Sequence, residues 1–293
     1  MGTALTELSK ALADAVEATA RNVVAVHEGG RSGVSGTLWR DNLLVTAAHT
    51  IGGLKKVTIT LPDGSTGTAE VLGVVPRIDL ALLKLSKPFS GAIQTADSGA
   101  LRVGEIVLAV GRRATEGAVA THGIISGFSA NGHPKNNAWL RLDLQPFTGF
   151  SGGPLVNAAG RVIGINTSGR RREVVTIPAA RIELAVATLL AKGRVPVPYL
   201  GLGLQPVHLS SGSESGGKRA LLVVMVEPAG PAQQAGLLVG DIVTALDGDS
   251  LDRATDLERV LDPEKVGQSV SLGVIRGGKQ QEVAITIGDR EAR

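Results

Sequence analysis

Between residues 23 and 178 the chain repeats one pattern twelve times. A run of four to eight residues rich in Val, Ile, Leu and Thr is followed by a turn of Gly, Asp, Asn or Pro. The first half gives "VVAVH", "SGTLWR", "LLVTA", "VTITL", "TAEVLGVV" and "LALLKL". The second half gives "IVLAV", "GIISGF", "WLRLDL", "GPLVN", "VIGIN" and "VVTIP". Such runs are too short for helices and too rich in β-branched residues to be loops, so they read as strands. Strands this closely spaced, six and six, suggest closed barrels or a sandwich, since closure removes exposed edges. Hydrophobic residues make up 43% of the sequence and aromatic residues only 2%, so the cores are expected to be aliphatic. The 39 glycines supply the many tight turns.

After the last strand the pattern changes. "PAARIELAVATLLAKG" (178–193) spaces its apolar residues at a helical period, with Pro178 at the start and Gly193 at the end. "RVPVP" (194–198) then reads as a stiff extended linker. Residues 199–288 follow the order strand, short helix, strand, helix and hairpin, turned at Gly277-Gly278, with a polar tail over 289–293. This predicts a second, small α+β domain after a mainly β domain over 21–193. Leu5, Leu8, Leu12 and Val16 recur at helical spacing, so residues 1–20 are expected to form an amphipathic helical segment.

Several function classes are disfavoured. The net charge is +3 and the only basic cluster is "GRRRE" (169–173), too little for a nucleic-acid footprint. The absence of cysteine excludes disulfides, thiolate metal sites and a cysteine nucleophile. No metal-binding motif is present and no cofactor is expected. No run reaches the roughly 18 apolar residues that span a bilayer. The N-terminus lacks the basic and apolar regions of a signal peptide. As written, the chain reads as cytoplasmic, or as periplasmic or extracytoplasmic if it has been trimmed at the N-terminus. "MGTALT" fits the loose myristoylation pattern, which often occurs by chance.

"TGFSGGPL" (148–155) surrounds Ser151 with glycines. "GFSGG" matches the nucleophile elbow of α/β-hydrolases, the context of a lipase or esterase. That motif requires a helix next and a histidine downstream in the same domain. Here Pro154 and two strands follow, and the one later histidine, His208, falls in the second domain. The alternative needs His, Asp and Ser in that order on a β framework. Upstream lie His27, His49, His122 and His133. His49 closes "LLVTAAHTI" among small residues that leave room for an imidazole. Asp79 opens the apolar strand "DLALLKL", where a carboxylate needs a partner. Holding the Nδ1–H of His49 would satisfy it and leave Nε2 free for the Ser151 proton. Gly149 and Gly152 let the loop turn the amides of Gly149 and Ser151 inward to cradle an oxyanion. Taken singly, a strand-end histidine, a strand-start Asp and a Gly-rich serine turn are ordinary structural features. Their joint order is what points to chemistry.

"VTAAH", "DLALLKL", "GFSGGPLVNAAGRVIGIN", and "TIP" followed by a helix resemble the HtrA (DegP-like) branch of chymotrypsin-fold serine proteases. "YLGLGL" (199–204), "EPAGPAQQAGLLVGDIVTALDGDSL" (227–251) and the closing hairpin resemble the PDZ domain of that family. The resemblance implies a chymotrypsin-like double six-stranded β-barrel followed by a PDZ domain. It also implies an ATP-independent endoprotease acting on unfolded or damaged proteins. His49 would be the general base, Asp79 its orienter and Ser151 the nucleophile, with the amides of Gly149 and Ser151 as oxyanion hole. Tyr199, Leu200, Gly201 and Leu202 would bind a peptide C-terminus, and Gln145 and Pro146 would begin a pocket for small or medium apolar side chains. A homotrimer is implied too, although the N-terminal aromatic residues that often join it are missing before Trp39. Where the family usually has Asn, this chain has Phe150. That departure keeps a second reading open, a catalytically silent peptide-binding chaperone or scaffold. His122 and His133 read as structural and solvated residues, and "GRRRE" as a solvated turn.

Overall fold

The computed structural model describes residues 2–28, 31–89, 91, 93–128, 139–168, 174–209, 219–253, 256–257, 261 and 263–290. The chain divides into two compact units, Met1–Val195 and Pro196–Arg293. In the first, β1 (Val23–Glu28), β2 (Arg31–Arg40), β3 (Leu43–Ala47), β4 (Lys56–Thr60), β5 (Thr66–Val75) and β6 (Leu80–Leu85) close into an antiparallel barrel of order β1-β2-β3-β6-β5-β4. β7 (Ile106–Arg113), β8 (Gly117–Phe128), β9 (Leu140–Asp143), β10 (Pro154–Asn157), β11 (Val162–Ser168) and β12 (Val174–Pro178) close a second barrel of order β10-β11-β12-β9-β8-β7.

The strands nearest the site are apolar on both faces for a geometric reason. Successive side chains of a strand point opposite ways. In β3 and β6, Leu44, Ala81 and Leu83 enter the core of the first barrel, while Val45, Leu80 and Leu82 enter a different cluster. β7 does the same in the second barrel: Val107 and Ala109 face its core, Leu108 and Val110 the shared cluster. That shared cluster draws on both barrels and cements them together. Full burial of one such leucine contributes about 2 kcal/mol.

α2 (Ala179–Lys192) covers this cluster with Ile182, Val186 and Leu189. Pro178 sits at its N-cap, and Gly193 ends it at φ 71°, donating its N–H to Leu189 O at 2.8 Å. Glu183 accepts the indole N–H of Trp39 at 2.8 Å and pairs with Arg40, tying α2 to β2. α1 (Gly2–Ala20) departs from the expected stripe: Leu12 and Val16 pack inward beside buried Ala15 and Ala20, but Leu5 is 70% and Leu8 41% exposed. Only its last turns lie against the barrels. There Arg112 caps the helix end, donating to Ala20 O at 2.9 Å and to Val23 O at 2.6 Å.

In the second unit, β13 (Pro198–Tyr199) pairs with β20 (Gly288–Asp289). β14 (Leu202–His208), β15 (Arg219–Val226), β16 (Ile242–Leu246), β18 (Ser269–Arg276) and β19 (Lys279–Thr286) form an antiparallel sheet in the order β14-β15-β16-β18-β19, and β17 (Asp249–Ser250) pairs with β16. The β18–β19 hairpin turns at Gly277 and Gly278, both at positive φ. α3 (Pro231–Gln234) is a single turn, and the second expected helix lies largely outside the described residues. Asp241, 2% exposed, is gripped by Arg276 through two bonds of 2.7 Å. The guanidinium holds that carboxyl below the usual carboxylate range, and the Leu238 N–H adds to the effect. A buried carboxylate is thereby paired instead of stranded.

Candidate active site

His49 lies in a 3-10 turn, Ala48–Thr50, that ends β3, and Asp79 follows a 3-10 turn, Pro76–Ile78, that precedes β6. Ala47 and Leu80 are register partners in the β3–β6 ladder, so the ladder sets both residues at one rim of the barrel. Asp79 takes φ 54°, a left-handed conformation that Asp tolerates better than most residues and that often marks functional positions. Its Oδ1 accepts the His49 N–H at 2.7 Å and its Oδ2 lies 2.6 Å from His49 Nδ1. A carboxylate offers only acceptors, so Nδ1 carries the proton and Nε2 keeps a lone pair. A third donor, the hydroxyl of Thr167, also reaches Asp79 Oδ2.

Thr167 brings the second barrel to this pair. Its neighbour on β11, Asn166, accepts the Gly152 N–H at 2.9 Å and donates its own N–H to Gly153 O at 2.9 Å. β11 therefore holds the loop after Ser151 with one residue and the carboxylate with the next. From the first barrel, Ser35 N–H donates to Ser151 O at 2.9 Å, Ser35 Oγ to Gly149 O at 2.5 Å and Thr37 Oγ1 to Gly152 O at 2.9 Å. The loop of Ser151 is thus slung between the barrels on the carbonyl side. The Ser151 hydroxyl makes no hydrogen bond among the described residues.

The N–H groups of Gly149 and Ser151 donate to no acceptor among the described residues, and Gly149 stands at φ 96°. Phe150 turns the other way. It is 5% exposed in the core of the second barrel, edge-on to Phe147 with ring centroids 5.7 Å apart. An aromatic residue before the serine is therefore core material that anchors the loop. Gly152 (φ 82°) has no room for a side chain: a Cβ would strike the Ser35 carbonyl oxygen and Thr46 Oγ1. Gly152→Ala is expected to cost about 2–4 kcal/mol, from overpacking plus a disfavoured φ. A urea unfolding curve within 0.5 kcal/mol of wild type would contradict this packing.

The remaining candidates fall elsewhere. His27 is held by Thr60 at 2.8 Å, away from the pair. His122, read from the sequence as structural, is exposed on β8, where it faces a groove of about 720 Å³ beside α1. His208 ends β14 in the second unit. His133 and residues 169–173 lie outside the described residues. Gln145 and Pro146 are exposed in the segment leading to the serine loop. In the second unit, Leu200 O accepts from Ala232 N–H and Gly201 O from Glu227 N–H, at 2.9 and 2.8 Å. The second bond makes Leu202 and Val226 a non-hydrogen-bonded pair, so the Leu202 N–H points to the open edge of β14, at the border of the sheet. Gly201, at φ 75°, lets the loop make this turn. Among the described residues no three His, Asp or Glu side chains gather as a metal site. None of their helices is long and apolar enough to cross a membrane.

Two closed six-stranded barrels with a His–Asp pair and a glycine-bracketed serine at their seam make a trypsin-like peptidase architecture. Residues 34–165 match the trypsin-like peptidase domain and residues 198–287 the PDZ domain. A probable periplasmic serine endoprotease, DegP-like, of Bartonella henselae is 31% identical over 257 residues, 84% of this chain and 51% of its own length. HhoA of Synechocystis sp., which carries a serine-protease name, is 32% identical over 264 residues, 83% of this chain and 67% of its own. Solved structures agree. The HtrA-type protease AlgW with a decapeptide has a TM-score of 0.78 at 25% identity, covering 96% of this chain and 99% of that one. The serine endoprotease of Yersinia pestis has 0.75 at 27%, covering 96% and 98%. The chain belongs to the HtrA (DegP-like) family of serine proteases. It spans about half the length of the DegP-like relative.

Proposed function

We propose that the chain is an ATP-independent serine endopeptidase that cleaves unfolded polypeptides through an acyl-enzyme. The observation that carries this reading is the doubly bonded His49–Asp79 pair facing a serine loop whose two flanking amides are unused. Ser151 Oγ attacks the scissile carbonyl while His49 Nε2 takes its proton. The amides of Gly149 and Ser151 receive the oxyanion, each worth about 3 kcal/mol in the transition state. Collapse of the tetrahedral adduct expels the amine, which takes the proton from His49. Water, deprotonated in turn by His49, attacks the acyl carbon; the ester bond to Ser151 breaks and His49 returns its proton to Oγ. No step calls for a metal or cofactor.

In the second unit a peptide C-terminus would add a strand along β14, with its carboxylate on the turn Tyr199-Leu200-Gly201-Leu202. AlgW was solved with a decapeptide, which supports peptide binding by this chain, and the PDZ match over residues 198–287 favours this unit for a peptide C-terminus. Gln145 and Pro146 are proposed to open a pocket for small or medium apolar side chains. The periplasmic name of the DegP-like relative favours an extracytoplasmic site of action over a cytoplasmic one, and a homotrimer is the proposed assembly. The silent-scaffold alternative finds no support, since the relatives carry protease names and Phe150 has its own place in the core.

Incubation with a fluorophosphonate should add one phosphonyl group, mapped by mass spectrometry to Ser151. Denatured casein should be cut without ATP, and the new termini should show small or medium apolar residues before the cut. A folded protein that neither labels nor cleaves, with or without added C-terminal peptides, would refute the assignment.

A further inference from the structure

An oxyanion hole works only if the peptide unit between residues 148 and 149 keeps its N–H inward and its carbonyl outward. A peptide unit next to a glycine rotates at little cost, because glycine accepts either sign of φ. Something must select the orientation seen here, with Gly149 at φ 96°. The carbonyl of Thr148 accepts a hydrogen bond from Arg113 Nε at 2.9 Å. That guanidinium is fixed in turn by Glu116, whose Oε1 and Oε2 lie 2.8 and 2.6 Å from Nη1. Arg113 ends β7 and pairs in register with Gly117 at the start of β8, so Glu116 sits in the tight connection between them. Its neighbour Arg112 points to the opposite face and caps α1, which leaves Arg113 on the face of the serine loop. The next carbonyl along, that of Gly149, is held by Ser35 Oγ, which also accepts the Arg112 N–H at 2.8 Å.

We infer that Arg113, braced by Glu116, is a positioning residue that sets the oxyanion hole by holding the Thr148 carbonyl away from the reacting centre. The proposal rests on the protease reading above. Its side-chain bonds go to Thr148 O and Glu116, so Arg113 acts through the peptide of Gly149. A charged donor is suited to the task, because its hydrogen bonds are roughly twice as strong as neutral ones. An isolated, exposed Arg–Glu pair would contribute little; here its value lies in where it aims Nε.

The test compares wild type with Arg113→Met, Arg113→Lys and Glu116→Ala. Loss of one oxyanion donor costs about 10²–10³ in kcat, so a peptide unit free to rotate should lower kcat about 10–100-fold in Arg113→Met, with KM within about threefold. Glu116→Ala should show a smaller loss, and Arg113→Lys should recover part of it. A peptidyl boronate, which places an oxyanion in the hole, should lose affinity by the same factor as kcat/KM. Binding of an uncleaved peptide should not change. If Arg113→Met fails to fold, the other two variants carry the same comparison. Variants that match wild type in both kcat and boronate affinity overturn the proposal. If the wild type does not label with fluorophosphonate, the protease reading fails instead. The orientation is then read from the Gly149 amide resonance, and coincidence in wild type and Arg113→Met, or in wild type and Glu116→Ala if the former does not fold, overturns this inference on its own.

Discussion

Ser151→Ala should lower kcat for peptide hydrolysis by about 10⁶, and adding His49→Ala should remove almost nothing more. The imidazole has value only through the hydroxyl it deprotonates. With Oγ gone, its lone pair at Nε2 has no proton to take from the enzyme. A residual acceleration of about 10³ over water should remain, because the amides of Gly149 and Ser151 still face a bound carbonyl. Single-turnover cleavage of a fixed peptide, quantified by mass spectrometry, measures all three variants. A double variant slower than Ser151→Ala by the full factor of His49→Ala would mean that the two side chains act independently, and the proposed proton transfer would be wrong.

Asp79→Asn should lower kcat/KM by about 10⁴ while leaving the fold intact. Asn tolerates the left-handed φ of 54° as Asp does, and it has the same shape. Its carbonyl oxygen can still accept the His49 N–H, now at 2.7 Å from Oδ1. The amide NH₂ would then stand where Oδ2 meets Nδ1 at 2.6 Å, and two donors cannot face each other. The imidazole must move its proton to Nε2, the atom that has to be empty to receive the serine proton. The Thr167 hydroxyl, which donates to Oδ2, can rotate to accept instead, so it does not rescue the tautomer. Steady-state kinetics alongside a thermal melt decide the matter: an unchanged midpoint with activity within tenfold of wild type would show that Asp79 does not set the tautomer.

What the sequence could reveal was whatever has a local signature. β3 and β6 are the runs "LLVTA" and "LALLKL" without adjustment, because burial on both faces makes every residue but one apolar or small. α2 announced itself by its period and by Pro178 and Gly193. β8 begins at Gly117, six residues before the run "GIISGF", because its first half alternates half-buried with exposed residues. The helix at residues 2–20 formed, yet its first apolar residues stayed outside, since periodicity gives a face but not the extent of the surface it meets. Thr167, Ser35 and Arg113 were illegible. Their partners lie 88, 114 and 35 residues away in the chain, and nothing around a lone Thr, Ser or Arg signals such a reach.

The serine loop belongs to one barrel but hangs from hydroxyls of the other, those of Ser35 and Thr37. A ribosome finishes the first barrel well before the strands that carry Ser151 emerge. Until the later half has folded and docked, the hydroxyl, its base and the amide cradle occupy no common frame. A nascent or half-melted chain would then be an inert peptide and not a stray hydrolase. Cutting power would arrive with the completed molecule and lapse as soon as the seam opens, which spares the chain from its own copies while they are still unfolded.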